Sequence, residues 1–385
     1  MKVTVLSHTP EPERTVAAAA RLCYSNTEAW EIMENLTPEK ASAFIKKLID
    51  MGHMSPMEHA SFTFAIDGVS RSLLSQITRH RIASYSVQSL RYNNPFDKEL
   101  SSKGADRTLE METKSYMEGI AFALKNSDIT KEVYKSLVAK NNAEGHMPQD
   151  IKDLNMSSYM RGIFDGAGTL SENNKFAVAF PKEFDSVLKG AFFEGLQKDG
   201  KILIEDDLAR KFIKYIYEDM DFANSSYDEE KFLESCLKSP SFAREVTVLM
   251  ETCVDKKYYA TVPESISRDP RTLLTYIKGL DACKKRYIDL IKSGIDQEDA
   301  RYILPLGTQT KLVMTMNVRS LHNFFNLRCC ERAQTEIRNL AYMMLDEVKK
   351  IAPSLFETAG APCEKLGYCP EGKFGCGKYP PLKSN

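Results

Sequence analysis

Arg79-His80-Arg81-Ile82-Ala83-Ser84-Tyr85-Ser86-Val87-Gln88-Ser89-Leu90-Arg91-Tyr92 places three guanidiniums and several hydroxyls within fourteen residues. An arginine presents a rigid fork of donors that matches phosphate and carboxylate oxygens. Serine hydroxyls and backbone amides complete such a cradle. A solvated basic helix end would carry more lysine, whereas Ala, Ser and Val separate the charges here. Upstream, Ser61–Asp67 alternates polar and apolar residues, which is strand periodicity, and Val69–Arg79 reads as a helix. Further back, Val3–Leu6 reads as a strand and Pro10–Tyr24 as a helix. Thr37 and Pro38 open another helix as N-cap and first residue, and Gly52 ends it. Downstream, Asn93-Asn94-Pro95 is a turn signal, and the patterning weakens after it.

The ordered pattern returns near Tyr258. Arg271–Ile291 and Asp296–Tyr302 read as helices, Lys311–Asn317 as a strand, Arg319–Arg328 as a helix, and Glu331–Ile351 as a longer helix stopped by Pro353. The second basic block lies here: Asn317-Val318-Arg319-Ser320-Leu321-His322-Asn323-Phe324-Phe325-Asn326-Leu327-Arg328, followed by Arg332-Ala333-Gln334-Thr335-Glu336-Ile337-Arg338. Two similar arms around an interruption predict an α+β fold. The expected core is a twisted, mainly antiparallel sheet with flanking helices, formed by 1–92 and 258–385. An inserted α/β domain is expected at 93–257.

Arg79-His80-Arg81, with Ser89 and Arg91 at fixed spacing behind, resembles the signature of flavin-dependent thymidylate synthases. Three further elements stand in that family's order: Ser55-Pro56-Met57-Glu58-His59, Ala300-Arg301-Tyr302-Ile303-Leu304-Pro305, and the Asn317–Arg338 block. Four ordered elements are far more specific than one motif. The resemblance implies reductive methylation of dUMP to dTMP with FAD as cofactor and NADPH and 5,10-methylenetetrahydrofolate as co-substrates. It implies FAD contacts from Ser55, Glu58, Arg79, His80, Arg81, Ile82, Asn317, Arg319 and Asn323. It implies dUMP contacts from Gln76, Arg79, Ser89, Leu90, Arg91, Arg301 and Arg328, with Arg91 and Arg301 on the phosphate. Arg328 is the expected catalytic residue, polarising the uracil. The partners implied are dUMP, a folate, a nicotinamide nucleotide and three further copies of the chain, in a homotetramer with shared active sites. Val87 departs from the pattern, because family members often carry Glu there.

Within the interruption, Tyr159-Met160-Arg161-Gly162-Ile163-Phe164-Asp165-Gly166-Ala167-Gly168 resembles the LAGLIDADG block of homing endonucleases, often found inside inteins. The bland alternative is a glycine-rich turn after a helix. The catalytic acid of that block belongs just before the last Gly, where Ala167 cannot bind a metal. Phe193–Gly200 reads as a worn second copy. Asn93 and Asn94 offer no splicing nucleophile and no His-Asn pair precedes Tyr258, so a retained, inactive insert is expected. Two other functions compete: a DNA-binding or nuclease-related protein, or a synthase disabled by its insert.

Charge argues against nucleic acid. Residues 93–256 hold 22 Lys and Arg against 30 Asp and Glu, a net of −8, and the remainder carries +7. Basic flanks suit anionic small ligands, and an acidic middle suits a DNA backbone poorly. The 385 residues, 43% hydrophobic and 27% charged, predict two or three domains, with no membrane span and no secretory leader, hence a cytoplasmic enzyme. Nine cysteines without an even framework read as reduced thiols. Cys329 and Cys330 read as packing residues. Cys363, Cys369 and Cys376 lack a CxxC pair, and no metal is expected.

Overall fold

The computed structural model describes residues 1–97, 105–128, 132–171, 175–223 and 227–381. The chain divides into two compact units, 1–93 with 306–385, and 94–305.

In the first unit, β1 (Lys2–His8), β2 (Ser61–Ser70), β3 (Ser84–Val87) and β8 (Gln309–Asn317) form an antiparallel sheet ordered β1-β2-β8-β3. The alternation in β2 buries Phe62, Phe64 and Ile66 on one face, and Leu312, Met314 and Met316 of β8 lie on the same side. Phe64 pairs with Val5 on one flank and with Met314 on the other. The helices Pro12–Leu22, Pro38–Asp50, Val318–Arg328 and Thr335–Ile351 contribute Val16, Ile45, Phe325 and Met344 to the same core. Each such fully buried side chain contributes roughly 1.5–3 kcal/mol.

Two local expectations shift. The helix expected from Val69 begins at Arg71, because a register shift between Ile66 and Val69 lets β2 continue and pair Val69 with Thr310 and Ser70 with Gln309. Gly68, at φ +67°, permits that irregularity. The helix expected from Glu331 begins at Thr335, where the Gln334 side chain accepts from the amides of Glu336 and Ile337.

The second unit carries a second antiparallel sheet, ordered β4-β5-β7-β6: β4 (Thr169–Ser171), β5 (Ala177–Pro181), β6 (Leu196–Lys198) and β7 (Lys201–Glu205). The helices Ala105–Lys125 and Met156–Ala167 pack closely at glycines. A Cβ at Gly119 would lie 2.1 Å from the Tyr159 carbonyl oxygen, and one at Gly162 would lie 2.2 Å from that of Tyr116. The two helices repeat a sequence, Ser115-Tyr116-Met117-Glu118-Gly119-Ile120 and Ser158-Tyr159-Met160-Arg161-Gly162-Ile163. The stretch read as a worn copy, Phe193–Gly200, is no helix. It forms β6 and a turn in which Asp199 and Gly200 take positive φ, so the helical partner of 156–167 is 105–125. Residues 258–305, grouped with the core in the sequence, lie in this unit. The helix Pro270–Lys292 packs Leu273, Leu274, Ile277 and Leu280 against Val246, Met250 and Val254 of the same apolar cluster. No helix among the described residues is long and apolar enough to cross a membrane.

Candidate functional site

The two basic motifs meet in the first unit. β8 ends at Asn317, whose side chain accepts from the Ser320 amide at 2.8 Å and so caps the helix Val318–Arg328. On the other arm, buried Ser70 caps the helix Arg71–Ile77 by accepting from the Leu73 amide at 2.9 Å. The chain then turns through Arg79-His80-Arg81 into β3. The Tyr85 hydroxyl on β3 holds this turn, lying 2.8 Å from the Ile77 carbonyl oxygen and 2.9 Å from that of His80. Burial pushes that phenol up to about 12.

A cleft of about 620 Å³ opens between these segments. One wall is Arg79, His80, Arg81 and Ile82. The other is Asn317, Arg319, Ser320, Asn323, Leu327 and Arg328, and Glu58 stands at the rim. Arg328 is fixed by two bonds: its Nε donates to His80 Nε2 at 3.0 Å, and an Nη donates to the Gln76 carbonyl at 3.2 Å. Because Arg328 can only donate, His80 Nε2 must accept, which leaves the ring neutral with its proton on Nδ1. His80 is buried and packs edge-on to Phe324 at 5.0 Å between ring centres. Burial, and then the Arg328 charge, pull its pKa down to about 4. Burial and the neighbouring Arg79 charge lower Arg328 as well. Arg319 pairs with Glu58 at 2.5 Å, an exposed pair.

The structure therefore gathers eight of the residues expected at FAD around one cleft: Glu58, Arg79, His80, Arg81, Ile82, Asn317, Arg319 and Asn323. Ser55 lines an adjoining hollow of about 470 Å³ that shares Arg319 and Asn323. Of the residues expected at dUMP, Arg79 and Arg328 line the cleft, and Gln76 reaches it through its carbonyl contact with Arg328. Ser89, Leu90 and Arg91 form a turn after β3. Leu90 is buried there and the Ser89 hydroxyl accepts from the Arg91 amide at 3.2 Å. Arg301 belongs to the second unit, in the turn Arg301–Ile303, and its Nε donates to the Glu298 carbonyl at 2.9 Å.

Three contributors had no role assigned from sequence. Ser320 and Leu327 line the cleft, one residue after Arg319 and four after Asn323 on the same helix. Glu336 bonds Ser70 behind the cleft. Its signal was present as the Ala333-Gln334-Thr335-Glu336-Ile337 element. Cys329 is buried and its thiol is pushed up to about 12, as suits a packing residue. Among the described residues no group of three His, Cys, Asp or Glu side chains is arranged to hold a metal.

Comparison with known proteins places these features in context. The family model described as thymidylate synthase complementing protein matches residues 4–156 and 224–354. A flavin-dependent thymidylate synthase of Clostridium tetani is 30% identical over 383 residues, covering 100% of this chain and 96% of that protein. One from Geobacter sulfurreducens is 29% identical, covering 100% and 97%. Among solved structures, the flavin-dependent thymidylate synthase of Helicobacter pylori, complexed with FAD and dUMP, is 17% identical, with a TM-score of 0.44 over 94% of this chain and 100% of that one.

Proposed function

This chain belongs to the flavin-dependent thymidylate synthase family, and from that premise we propose that its cleft binds FAD and that it methylates dUMP to dTMP with NADPH and 5,10-methylenetetrahydrofolate. One observation carries the reading: guanidiniums from two motifs more than two hundred residues apart line a single cleft, with Arg328 locked to His80.

The cleft suits an anionic dinucleotide. Arg79, Arg81, Arg319 and Arg328 face it against the single carboxylate of Glu58, so its field favours negative ligands. Ser320 and Asn323 add neutral polar groups, and Ile82 and Leu327, both largely exposed, offer apolar surface for a ring system. Bound reduced flavin would supply the hydride. The protein supplies position and charge. Arg328 is held through Nε and one Nη, which leaves the other Nη to donate to a uracil carbonyl and stabilise negative charge developing on the pyrimidine. Neutral His80 keeps the guanidinium in that orientation without adding a competing cation. Arg91 is the phosphate partner on this arm, and Arg301 is the one that family resemblance adds. The exposure of Ile82 and Leu327 at the cleft suits completion of the site by neighbouring copies in a homotetramer.

The unit 94–305 is proposed to add no nuclease chemistry. Its glycine-packed helix pair favours descent from a LAGLIDADG endonuclease, yet Ala167 stands where the catalytic acid belongs. The nearest acid, Asp165, is fully buried. It accepts from the Tyr116 hydroxyl at 2.7 Å, and burial raises its pKa to about 6. Two assays test the whole reading. Purified protein is expected to show flavin absorbance and to form dTMP from dUMP with both co-substrates. The intact gene is expected to rescue a thymidine auxotroph. Flavin-bound protein without turnover would identify a synthase disabled by its insert.

A further inference from the structure

Two cross-links join the same two stretches of chain. At one end, Arg328 bonds His80 and the Gln76 carbonyl. At the other end, the Ser70 amide donates to Glu336 Oε1 at 2.7 Å and the Ser70 hydroxyl donates to Oε2 at 2.5 Å. Ser70 is 2% exposed, and its hydroxyl oxygen also accepts from the Leu73 amide, so one residue both caps the helix Arg71–Ile77 and binds the carboxylate. The helix spans only two turns. Its direction is therefore set by where its first residue is held, and its far end presents Gln76 and His80 to Arg328. Glu336 in turn stands in the first turn of Thr335–Ile351, which follows closely on Arg328.

We propose that Glu336 is a positioning residue for the methylation chemistry: through Ser70 it holds the start of Arg71–Ile77 so that the other end meets Arg328 in register. The inference rests on the reading of the cleft given above. Glu336 and Ser70 do not line the cleft, so the effect must pass through Arg328 and His80 rather than through ligand contact.

The test compares wild type, Glu336→Ala, Glu336→Gln, Ser70→Ala and the Ser70→Ala/Glu336→Ala double variant. Flavin stoichiometry, the visible spectrum of bound flavin, kcat and the KM for dUMP are read for each. Glu336→Ala is expected to retain bound flavin and to lose about tenfold in kcat, more than it changes KM. Glu336→Gln, which keeps an acceptor for the Ser70 amide, is expected to recover most of that loss. The double variant is expected to be no worse than the poorer single. Wild-type turnover in Glu336→Ala, or multiplicative losses in the double variant, would overturn the inference. If Glu336→Ala is recovered unfolded, Ser70→Ala and Glu336→Gln carry the test: a kcat loss in the former with near-normal turnover in the latter supports it, and normal turnover in both overturns it. A wild-type protein that binds no flavin would instead sink the underlying reading.

Discussion

Arg328 Nε donates to His80 Nε2 at 3.0 Å, joining two side chains 248 residues apart in sequence. The bond requires neutral histidine, because a protonated ring would set a second donor against a guanidinium. Arg328 and the histidine of the first motif thus share one electrostatic state.

That coupling sets a pH dependence. His80 titrates at about 4 in the folded protein, below its ordinary 6.5. Between these values the unfolded chain binds the extra proton and the folded one does not, so stability falls as pH drops from about 6.5 to 4 and is unchanged by this group below that. The full difference is worth up to about 3 kcal/mol. Thermal melts at pH 7 and 4.5 should show a smaller acid loss for His80→Gln than for wild type. Equal losses would show that His80 is not the group concerned.

Tyr85 anchors the Arg79–Arg81 turn through two carbonyls. Tyr85→Phe leaves both without this donor and is expected to cost about 1–3 kcal/mol. Flavin titration should show weaker binding alongside the lower melting temperature. Unaltered binding would mean that the turn holds its shape without the phenol.

The glycine contacts in the second unit predict intolerance of the smallest side chain. Gly162→Ala places a methyl 2.2 Å from the Tyr116 carbonyl oxygen, and the mirror change at Gly119 meets Tyr159. Each should destabilise by about 1–3 kcal/mol as the helices are forced apart. Denaturant titration checks this, and a midpoint equal to wild type would contradict the packing.

Asn93 and Asn94 provide no splicing nucleophile at the point where the sequence pattern suggests an insert would begin. Expression should yield one product of 43.6 kDa by intact mass. A shortened chain lacking residues near 93–257 would contradict the expectation that they are retained.

Much of this was legible in sequence, for identifiable reasons. The alternation of Ser61–Asp67 and the helical pattern of Arg319–Arg328 appear in the structure as β2 and the helix that carries Arg328, since both patterns are local. β3 was not anticipated: Ser84–Val87 is four residues long and forms only by pairing with β8, a partner far away in sequence. The delayed helix start at Arg71 has the same origin, since pairing of Ser70 with Gln309 outweighs the helical pattern of Val69 onward. The true partner of the 156–167 helix escaped because Gly119 precedes Ala121 and Ala123 rather than a second Gly-Asp pattern. Residues 258–305 have the amphipathic helices expected of a core, but amphipathicity says nothing about which core receives the apolar face. The Glu336–Ser70 bond was invisible for a similar reason: a motif names residues and not the partners they meet.

The central claim is that Arg328, held by His80, activates the pyrimidine while flavin is bound elsewhere in the same cleft. The most direct test is dTMP formation by Arg328→Ala, with flavin content measured on the same preparation. The structure predicts flavin retained and turnover reduced by at least about 100-fold. Turnover at the wild-type rate, with flavin bound, would contradict it.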